Sequence, residues 1–276
     1  MREPMSPPAA VTVITVVRNG AATIASAVES VLAQSHPPLE HVIVDGGSTD
    51  GTLEILHGFG DRVRWISEPD RGLYDAMNKG LSLIRDPDRY VIFLNADDSF
   101  HAPDAIAHAL ALSDREDFLY GRLERLDEEF GDRDVIGGPV AARDLLFGMR
   151  AHHQTILARK RVFDTIGGFR IEYRIAADYD WVVRAFQSRE ITRRFVPVVV
   201  TTMRRGGVSE RGYLAGIAER RRIVRAAYSR ADQLRFLVYS VYGDYGRWGL
   251  LHVLRSLGLL PLARRLKRSI GAPSRA

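Results

Sequence analysis

The first hundred residues alternate between short apolar runs and segments in which apolar residues recur with a helical period. Val11–Val17 is a continuous run of β-branched residues, as expected of a strand buried on both faces. Ala21–Gln34 has the spacing of an amphipathic helix. The same reading predicts strands at His41–Val44, Val63–Ile66 and Tyr90–Leu94, and helices at Thr52–His57 and Leu73–Ile84. This order predicts an α/β fold with a mostly parallel central sheet flanked by helices.

After Pro103 the pattern is less regular. It predicts helices at Ala105–Leu112, Ala141–Phe147, Lys160–Ile166 and Tyr179–Gln187, and strands at Phe118–Leu123, His153–Leu157 and Phe195–Thr202. Asp127–Gly138 reads as a polar loop, and the chain beyond Arg205 reads as nearly all helix. We therefore expect an N-terminal tail (1–10), an α/β domain (11–209) and a helical, basic C-terminal extension (210–276).

Composition and charge limit the classes of function that this chain can have. The 276 residues include no cysteine, which excludes disulfides, thiol nucleophiles and thiolate metal sites. Residues 204–276 carry 16 Lys and Arg against 4 Asp and Glu, whereas residues 1–203 have a net charge of −7. The basic end indicates an anionic partner such as a phospholipid surface or a nucleic acid. We expect no secretory signal and no membrane span, since no uncharged run approaches the ~20 residues that a span needs.

Polar residues follow the predicted parallel strands where ligands bind in sheets of this kind. Asp97 and Asp98 come directly after a buried strand and would repel each other unless a cation joins them. A divalent ion with oxygen ligands, Mg²⁺ or Mn²⁺, would resolve the repulsion and bind a diphosphate. The alternative is that Asp98 only caps the helix near Pro103. The Gly-rich phosphate loops of dinucleotide-binding proteins and P-loop proteins are missing from the sequence.

Four motifs follow one another in the first hundred residues: Val13-Ile14-Thr15-Val16-Val17-Arg18-Asn19, Val42-Ile43-Val44-Asp45-Gly46-Gly47-Ser48-Thr49-Asp50-Gly51-Thr52, Glu68-Pro69-Asp70-Arg71-Gly72-Leu73-Tyr74-Asp75-Ala76-Met77-Asn78-Lys79-Gly80 and Phe93-Leu94-Asn95-Ala96-Asp97-Asp98. In this order they resemble glycosyltransferase family 2, most closely its exopolysaccharide and colanic-acid type, and the resemblance runs from about Val11 to Ser209. The resemblance implies an inverting enzyme of the GT-A fold that uses nucleotide-diphosphate sugars. It divides the α/β domain into a donor half (11–103) and an acceptor half (104–209).

The resemblance also implies roles for residues of the donor half. Asp45 would contact a uracil base, and Thr15 would line the base pocket. Gly46 stands where the family usually has a second Asp. Asp97 would face the ribose, and Asp98 would bind the metal.

Further roles follow for residues outside the strand ends. Arg71 would meet phosphate and Asn78 would face the donor. Asp178 corresponds to the catalytic base, although Ala177 replaces the Glu that usually precedes it. The alternatives are an ordinary helix cap for Asp178, and Asp180 as the base.

Two roles are possible for each of two basic residues, His153 and Arg205. His153 would lie near the acceptor or the diphosphate, or serve a structural purpose in the His152–His153 pair. Arg205 would close over the leaving diphosphate, since guanidinium groups pair bidentately with phosphate, or lie in a solvated basic turn.

Together these features predict a glycosyltransferase that moves a sugar, first of all from a UDP-sugar, to a glycan or lipid-linked acceptor. The alternative is a non-catalytic nucleotide-sugar binder or membrane-associated scaffold. We expect a cytoplasmic protein with no nucleic-acid partner, because the basic tail has no aromatic stacking motif or recognition helix. The segment Arg247–Ile270 mixes apolar residues with Arg and Lys, so it would lie peripherally on the anionic inner face of the plasma membrane or pack on the catalytic domain.

Overall fold

The structure, a computed structural model, describes residues 9–127, 131–204 and 212–240, and their strands join in one sheet. The strands are β1 (Val11–Val17), β2 (Leu39–Asp45), β3 (Arg64–Ser67), β4 (Tyr90–Asn95), β5 (Ser99–Phe100), β6 (Phe118–Asp127), β7 (Asp132–Ile136), β8 (Ile156–Arg159) and β9 (Arg193–Arg204). The α-helices are α1 (Ile24–Leu32), α2 (Thr52–Gly58), α3 (Leu73–Ser82), α4 (Ala105–Ala111), α5 (Lys160–Ile166), α6 (Ala177–Gln187), α7 (Tyr213–Ala227) and α8 (Arg230–Tyr239).

The strand order is β3-β2-β1-β4-β8-β6-β9-β5, with β7 paired to β6. Strands β3, β2, β1 and β4 are parallel, and β1 pairs with β2 from Val11 opposite Leu39 to Val17 opposite Asp45. Strands β4 and β8 are antiparallel, as are β8 and β6, whereas β6 and β9 run parallel. The carboxyl ends of these four strands therefore lie on the same side of the sheet, together with the loops that follow them.

Helices cover both faces of the parallel strands. On one face α1 and α2 pack against Val17 and Ile43. Residues Ile14 and Val44 point to the opposite face, where Gly80 of α3 lies against both side chains. The continuous burial of β1 follows from this arrangement, because neither face of the strand meets water. The predicted α/β fold is thus confirmed.

An aromatic cluster fixes α5 and α6 to the second half of the sheet. The rings of Phe163 and Trp181 stack with centroids 4.4 Å apart, and Trp181 also stacks on Phe118 of β6 at 5.5 Å. Phe169 contacts the same indole from the loop between the two helices. Since α6 carries Asp178, this cluster sets the position of that residue relative to the sheet.

Three of the predicted elements were wrong in type or extent. The predicted loop Asp127–Gly138 contains β7, an edge strand whose polar sequence hides it. The predicted strand His153–Leu157 begins as a 3₁₀ turn at His153–Thr155, and only then continues as β8. Only the last part of the predicted helix Ala141–Phe147 is helical, as a short 3₁₀ segment.

The chain separates into two compact units, residues 1–223 and residues 224–276, with the division inside α7. The expected boundary at residues 209–210 falls in the range 205–211, outside the described residues, as does the predicted helix Arg247–Ile270. In the part of the chain that the structure describes, no helix combines the length and apolar character needed to cross a membrane.

Candidate active site

Asp45 ends β2 and organises the loop that follows it. Its Oδ2 accepts hydrogen bonds from the backbone N–H groups of Gly47 and Ser48, both at 2.9 Å, and from the hydroxyl of Ser67 at 2.6 Å. The Ser48 hydroxyl donates to Oδ1. Burial opposes ionisation of Asp45, but these hydrogen bonds hold its pKa below the usual value. The carboxylate is therefore an ionised acceptor at the edge of the sheet.

Asp70 reaches the space next to Asp45 from the loop after β3. A Cβ atom placed on Gly46 would lie 2.1 Å from Oδ2 of Asp70. The other oxygen of Asp70 accepts the N–H of Gly72 at 2.7 Å. The absence of a side chain at Gly46 thus leaves room for a carboxylate from another loop.

Asp98 lies just past the end of β4 and is only 3% exposed. Its Oδ2 accepts from the amide of Asn95 at 3.0 Å and from the amide of Gln154 at 3.3 Å. Its Oδ1 is buried and has no hydrogen-bond partner. Burial, together with the neighbouring charge of Asp97, raises the pKa of Asp98 to about 7.

The donor set around Asp98 fits a hard divalent cation that also binds a phosphate ligand. A partnerless carboxylate oxygen with a raised pKa is the group that such an ion would stabilise. Among the described residues no three His, Cys, Asp or Glu side chains form a ready cage. Mg²⁺ does not require one, because it commonly binds through one or two carboxylates, waters and substrate phosphates.

Asp178 lies in the first turn of α6 and is joined to two other elements. Its Oδ1 accepts from the hydroxyl of Tyr74 on α3 at 3.0 Å and from the N–H of Tyr179 at 2.8 Å. Its Oδ2 lies 2.9 Å from Nδ1 of His153. Burial opposes ionisation, but His153, Tyr179 and Tyr74 together lower the pKa of Asp178 below its usual value.

The start of α6 is held by a carboxylate from α7. Glu219 accepts hydrogen bonds from three consecutive N–H groups, those of Arg174, Ile175 and Ala176, at 2.9 to 3.0 Å. Ala176 is the N-cap, and no side chain caps this helix locally. Glu219 therefore fixes the backbone just before α6, while Asp178 itself accepts an N–H of the first turn.

The 3₁₀ turn His153–Thr155 brings the two acidic centres together. Adjacent residues on this turn contact different carboxylates: His153 contacts Asp178, and Gln154 contacts Asp98. One short turn thus contacts both the candidate metal ligand and the candidate base, each through a different residue.

Three predicted site residues have other partners in the structure. The Thr15 hydroxyl is buried in β1 and lies 2.9 Å from Nε2 of His41. The amide of Asn78 is bonded on both sides to the backbone of Phe169. Arg71 lies at the predicted edge with its side chain 74% exposed, in an ion pair with Asp75. Arg205 falls outside the described residues.

Sequence reasoning gave no separate role to Gln154, Tyr74 or Asp70. Gln154 could have been found from its place beside His153. Tyr74 meets Asp178 across 104 positions of the chain, so only the fold reveals their contact. The same holds for the approach of Asp70 to Gly46.

The chain is similar in sequence to known glycosyltransferases. A family model described as glycosyl transferase family 2 matches residues 12–176. A "PGL/p-HBAD biosynthesis glycosyltransferase" of Mycobacterium bovis is 35% identical over 199 residues, which cover 69% of this chain and 75% of the relative.

Solved structures share the fold at lower identity. S. aureus TarS 1-349 in complex with UDP-GlcNAc matches with a TM-score of 0.62 and 18% identity, over 83% of this chain and 71% of that one. The match spans 42% of a longer crystallised TarS chain. A mannosyltransferase from Pyrobaculum calidifontis, in complex with GDP-Man and Mn²⁺, matches with a TM-score of 0.59 and 20% identity, over 98% of this chain and 83% of that one.

Proposed function

Because this chain belongs to glycosyl transferase family 2, we propose that it is an inverting glycosyltransferase that uses a nucleotide-diphosphate sugar. The observation that carries the proposal is the pair of acidic centres joined by the turn His153–Thr155. One centre has a buried carboxylate without a counter-ion, and the other holds an ionised carboxylate against an imidazole. Glycosyl transfer needs both a site for a departing diphosphate and a group that takes a proton.

On the donor side, Asp45 ends β2 and Asp98 follows β4, the two parallel strands on either side of β1. We assign residues 11–103 to the donor half, with Asp45 on the base, Asp97 towards the ribose and Arg71 near phosphate. Asp98 would hold a Mg²⁺ or Mn²⁺ ion, which, when bound, neutralises charge on the leaving diphosphate. Asn95 and Gln154 orient the Asp98 carboxylate for this purpose through hydrogen bonds to a single oxygen.

On the acceptor side, the proton leaves the attacking hydroxyl at the Asp178–His153 pair. Direct attack on the anomeric carbon, opposite the leaving phosphate, inverts its configuration. We assign residues 104–209 to the acceptor half because α6 and the turn His153–Thr155 both lie in it. General-base catalysis of this kind contributes about 10²–10⁴-fold to the rate.

Known relatives guide the choice of substrates. The TarS complex with UDP-GlcNAc makes UDP-sugars the first donors to test, and the GDP-Man complex makes GDP-sugars the second. The mycobacterial relative is named for PGL/p-HBAD biosynthesis, which favours a lipid-linked acceptor over a free glycan. For such an acceptor we propose cytoplasmic location with peripheral attachment of residues 247–270 to an anionic membrane surface.

A non-catalytic nucleotide-sugar binder is the second candidate. Ala177, which is fully buried, stands where the family usually has Glu. A binder of this kind would keep the strand-end carboxylates and lose turnover.

Release of nucleoside diphosphate separates the two candidates. The full chain is incubated with UDP-Glc, UDP-Gal, UDP-GlcNAc, GDP-Man and dTDP-rhamnose, each with Mn²⁺ or EDTA, with and without alkyl and aryl glycoside acceptors. An enzyme releases diphosphate from at least one donor in a metal-dependent, acceptor-stimulated way. Binding of a donor without release in any combination would support the second candidate.

A further inference from the structure

We infer that Tyr74 is a positioning residue for Asp178, and that through it the donor half of the chain sets the orientation of the candidate base. This inference rests on the proposed function and adds to it a residue to which the sequence gave no separate role. Three features carry it: the place of Tyr74 on α3, the two acceptors of its hydroxyl, and the change at that hydroxyl when Asp178 takes a proton.

Helix α3 contacts the segment that leads into α6 at two positions. Tyr74 and Asn78 are four residues apart and therefore lie on the same face of α3. Tyr74 reaches Ile175 and Asp178, whereas Asn78 holds the backbone of Phe169. The ring of Tyr74 also contacts the ring of Phe169, with centroids 5.6 Å apart. One face of a donor-half helix thus supports the chain on which the candidate base lies.

The hydroxyl of Tyr74 is a buried donor with two acceptors in reach. Tyr74 is only 4% exposed, and its oxygen lies 3.0 Å from Oδ1 of Asp178 and 2.8 Å from the carbonyl oxygen of Ile175. Burial and the charge of Asp178 raise the pKa of Tyr74 well above its usual value, so the hydroxyl keeps its proton. An ionised carboxylate is a stronger acceptor than a carbonyl oxygen. The single proton therefore points to Asp178 while that carboxylate is ionised.

The contacts of Asp178 fix its carboxylate without closing it off. Oδ1 accepts from Tyr74 and from the N–H of Tyr179, and Oδ2 lies beside Nδ1 of His153. The Asp178 side chain is nevertheless 16% exposed, compared with 9% for His153. An acceptor hydroxyl can therefore reach a carboxylate whose orientation is already set from α3.

Proton transfer changes the charge that Tyr74 faces. The acceptor oxygen forms a bond to the anomeric carbon while its proton moves to the Asp178 carboxylate. The bond between the anomeric carbon and the phosphate oxygen breaks, and the diphosphate leaves with the electron pair. Asp178 is then neutral, and it returns the proton to water after the products leave.

Ile175 gives the Tyr74 hydroxyl a partner in the neutral state of Asp178. The hydroxyl proton can turn to the Ile175 carbonyl while the tyrosine oxygen stays in place. Glu219 holds the N–H groups of residues 174–176, which keeps this part of the backbone fixed. Neither state of Asp178 thus leaves the buried Tyr74 donor unpaired.

The test uses Tyr74→Phe in the full chain, because this change removes the hydroxyl and keeps the ring. Tyr90→Phe is the matched control, since Tyr90 is 1% exposed and its hydroxyl donates to a backbone carbonyl, that of Glu116. Asp178→Asn and the double variant with Tyr74→Phe complete a cycle. We measure kcat with the best donor and acceptor, the affinity for UDP with Mn²⁺, and the melting temperature of each protein.

We expect Tyr74→Phe to lower kcat by about 5- to 100-fold, since a misplacement of about 1 Å in a reacting group costs up to about 10²-fold. UDP affinity should stay within about threefold of the wild type, because the Tyr74 hydroxyl contacts the acceptor-side segment. In the Asp178→Asn background, Tyr74→Phe should change kcat by less than about threefold, because Tyr74 acts through Asp178. Tyr90→Phe should lower the melting temperature by a similar amount and keep kcat within about threefold.

Four results would overturn the inference. The first is a loss of kcat in Tyr74→Phe of less than about fivefold, and the second is an equal loss in Tyr90→Phe. The third is the same loss from Tyr74→Phe with and without Asp178, which would mean a general loosening of the fold. The fourth is UDP affinity weakened by more than about threefold, which would assign the hydroxyl to the donor. Failure of the proposed function is a separate outcome, since the wild-type protein would then transfer no sugar at all.

Discussion

The side-chain amide of Asn78 on α3 is bonded to both the carbonyl oxygen and the N–H of Phe169, at 2.7 and 2.9 Å. Residue 169 lies in the loop between α5 and α6, so this clamp joins the donor half of the chain to the segment that precedes Asp178. Asn78 was expected to face the donor. The structure gives both ends of its amide a partner within the protein.

The clamp leaves no room for a side chain at Gly168. A Cβ atom there would lie 2.5 Å from Oδ1 of Asn78. We expect Gly168→Ala to push the amide away from Phe169 and to lower the free energy of unfolding by about 1–3 kcal/mol, the cost of unpaired buried polar groups. Chemical denaturation measures it.

Gly58→Ala is the matched control, since it lies at the end of α2 with nothing within 4 Å of the added atom. It should be neutral or stabilising by up to about 1 kcal/mol. If Gly168→Ala and Gly58→Ala lost the same amount of unfolding free energy, the contact between Asn78 and Phe169 would not explain the effect.

Burial of His41 predicts an acid-sensitive fold. Burial lowers the pKa of His41 from 6.5 to about 3, so the native state resists protonation and the unfolded state does not. The depressed pKa contributes stability above pH 6.5, and that stability is lost as the pH falls towards 3. Between pH 7 and pH 5 the loss from this one ring is about 2 kcal/mol.

We therefore expect His41→Gln to reduce the fall in unfolding free energy between pH 7 and pH 5 by about that amount. Urea denaturation at the two pH values gives the difference. His108→Gln is the control, because the side chain of His108 is 65% exposed. An unchanged pH dependence in His41→Gln would show that the buried ring is not responsible.

Asp98 predicts metal-dependent binding of the donor nucleotide. In the wild-type protein, Mn²⁺ should tighten UDP binding by about tenfold or more relative to EDTA, which corresponds to about 1.4 kcal/mol, because the ion would neutralise charge between Asp98 and the diphosphate. In Asp98→Asn the two conditions should differ by less than about threefold. Calorimetry with both proteins measures this difference.

Asp61→Asn is the control for removal of a carboxylate, because Asp61 is exposed in the turn before β3. It should keep the full effect of Mn²⁺. Equal affinities with Mn²⁺ and EDTA in the wild-type protein would argue that the donor binds without a metal.

The basic C-terminal segment predicts membrane binding that depends on charge. The full chain should pellet with phosphatidylglycerol vesicles at low salt, and less at high salt, because salt screens attraction to anionic lipid. A chain that ends at Tyr245 should remain in the supernatant. Phosphatidylcholine vesicles are the control. If both chains pellet alike, residues 247–270 are not an electrostatic anchor.

Sequence predicted the parallel part of the fold because a strand buried on both faces, such as β1, is a continuous run of β-branched residues. It missed β7, since an exposed edge strand such as Asp132–Ile136 carries no such pattern. It also predicted a strand at His153, where the apolar residues that follow in β8 concealed a 3₁₀ turn.

The residues of the candidate site likewise include some that the sequence predicted and others that it missed. Asp45, Asp98 and Asp178 could be selected from the sequence because each matches a motif of the family that the chain resembles, at the end of a strand or the start of a helix. Their partners could not, because the contacts of Tyr74 with Asp178 and of Gln154 with Asp98 join residues 104 and 56 positions apart.

The stereochemistry of the product tests the account most directly. Once a donor and an acceptor are found, proton NMR of the early product gives the anomeric configuration of the transferred sugar. We predict that an α-linked donor yields a β-linked product, and that Asp178→Asn forms this product at least about 10²-fold more slowly while binding UDP with Mn²⁺ as the wild type does. A product that keeps the α-configuration, or transfer by Asp178→Asn at more than about a tenth of the wild-type rate, would contradict the account.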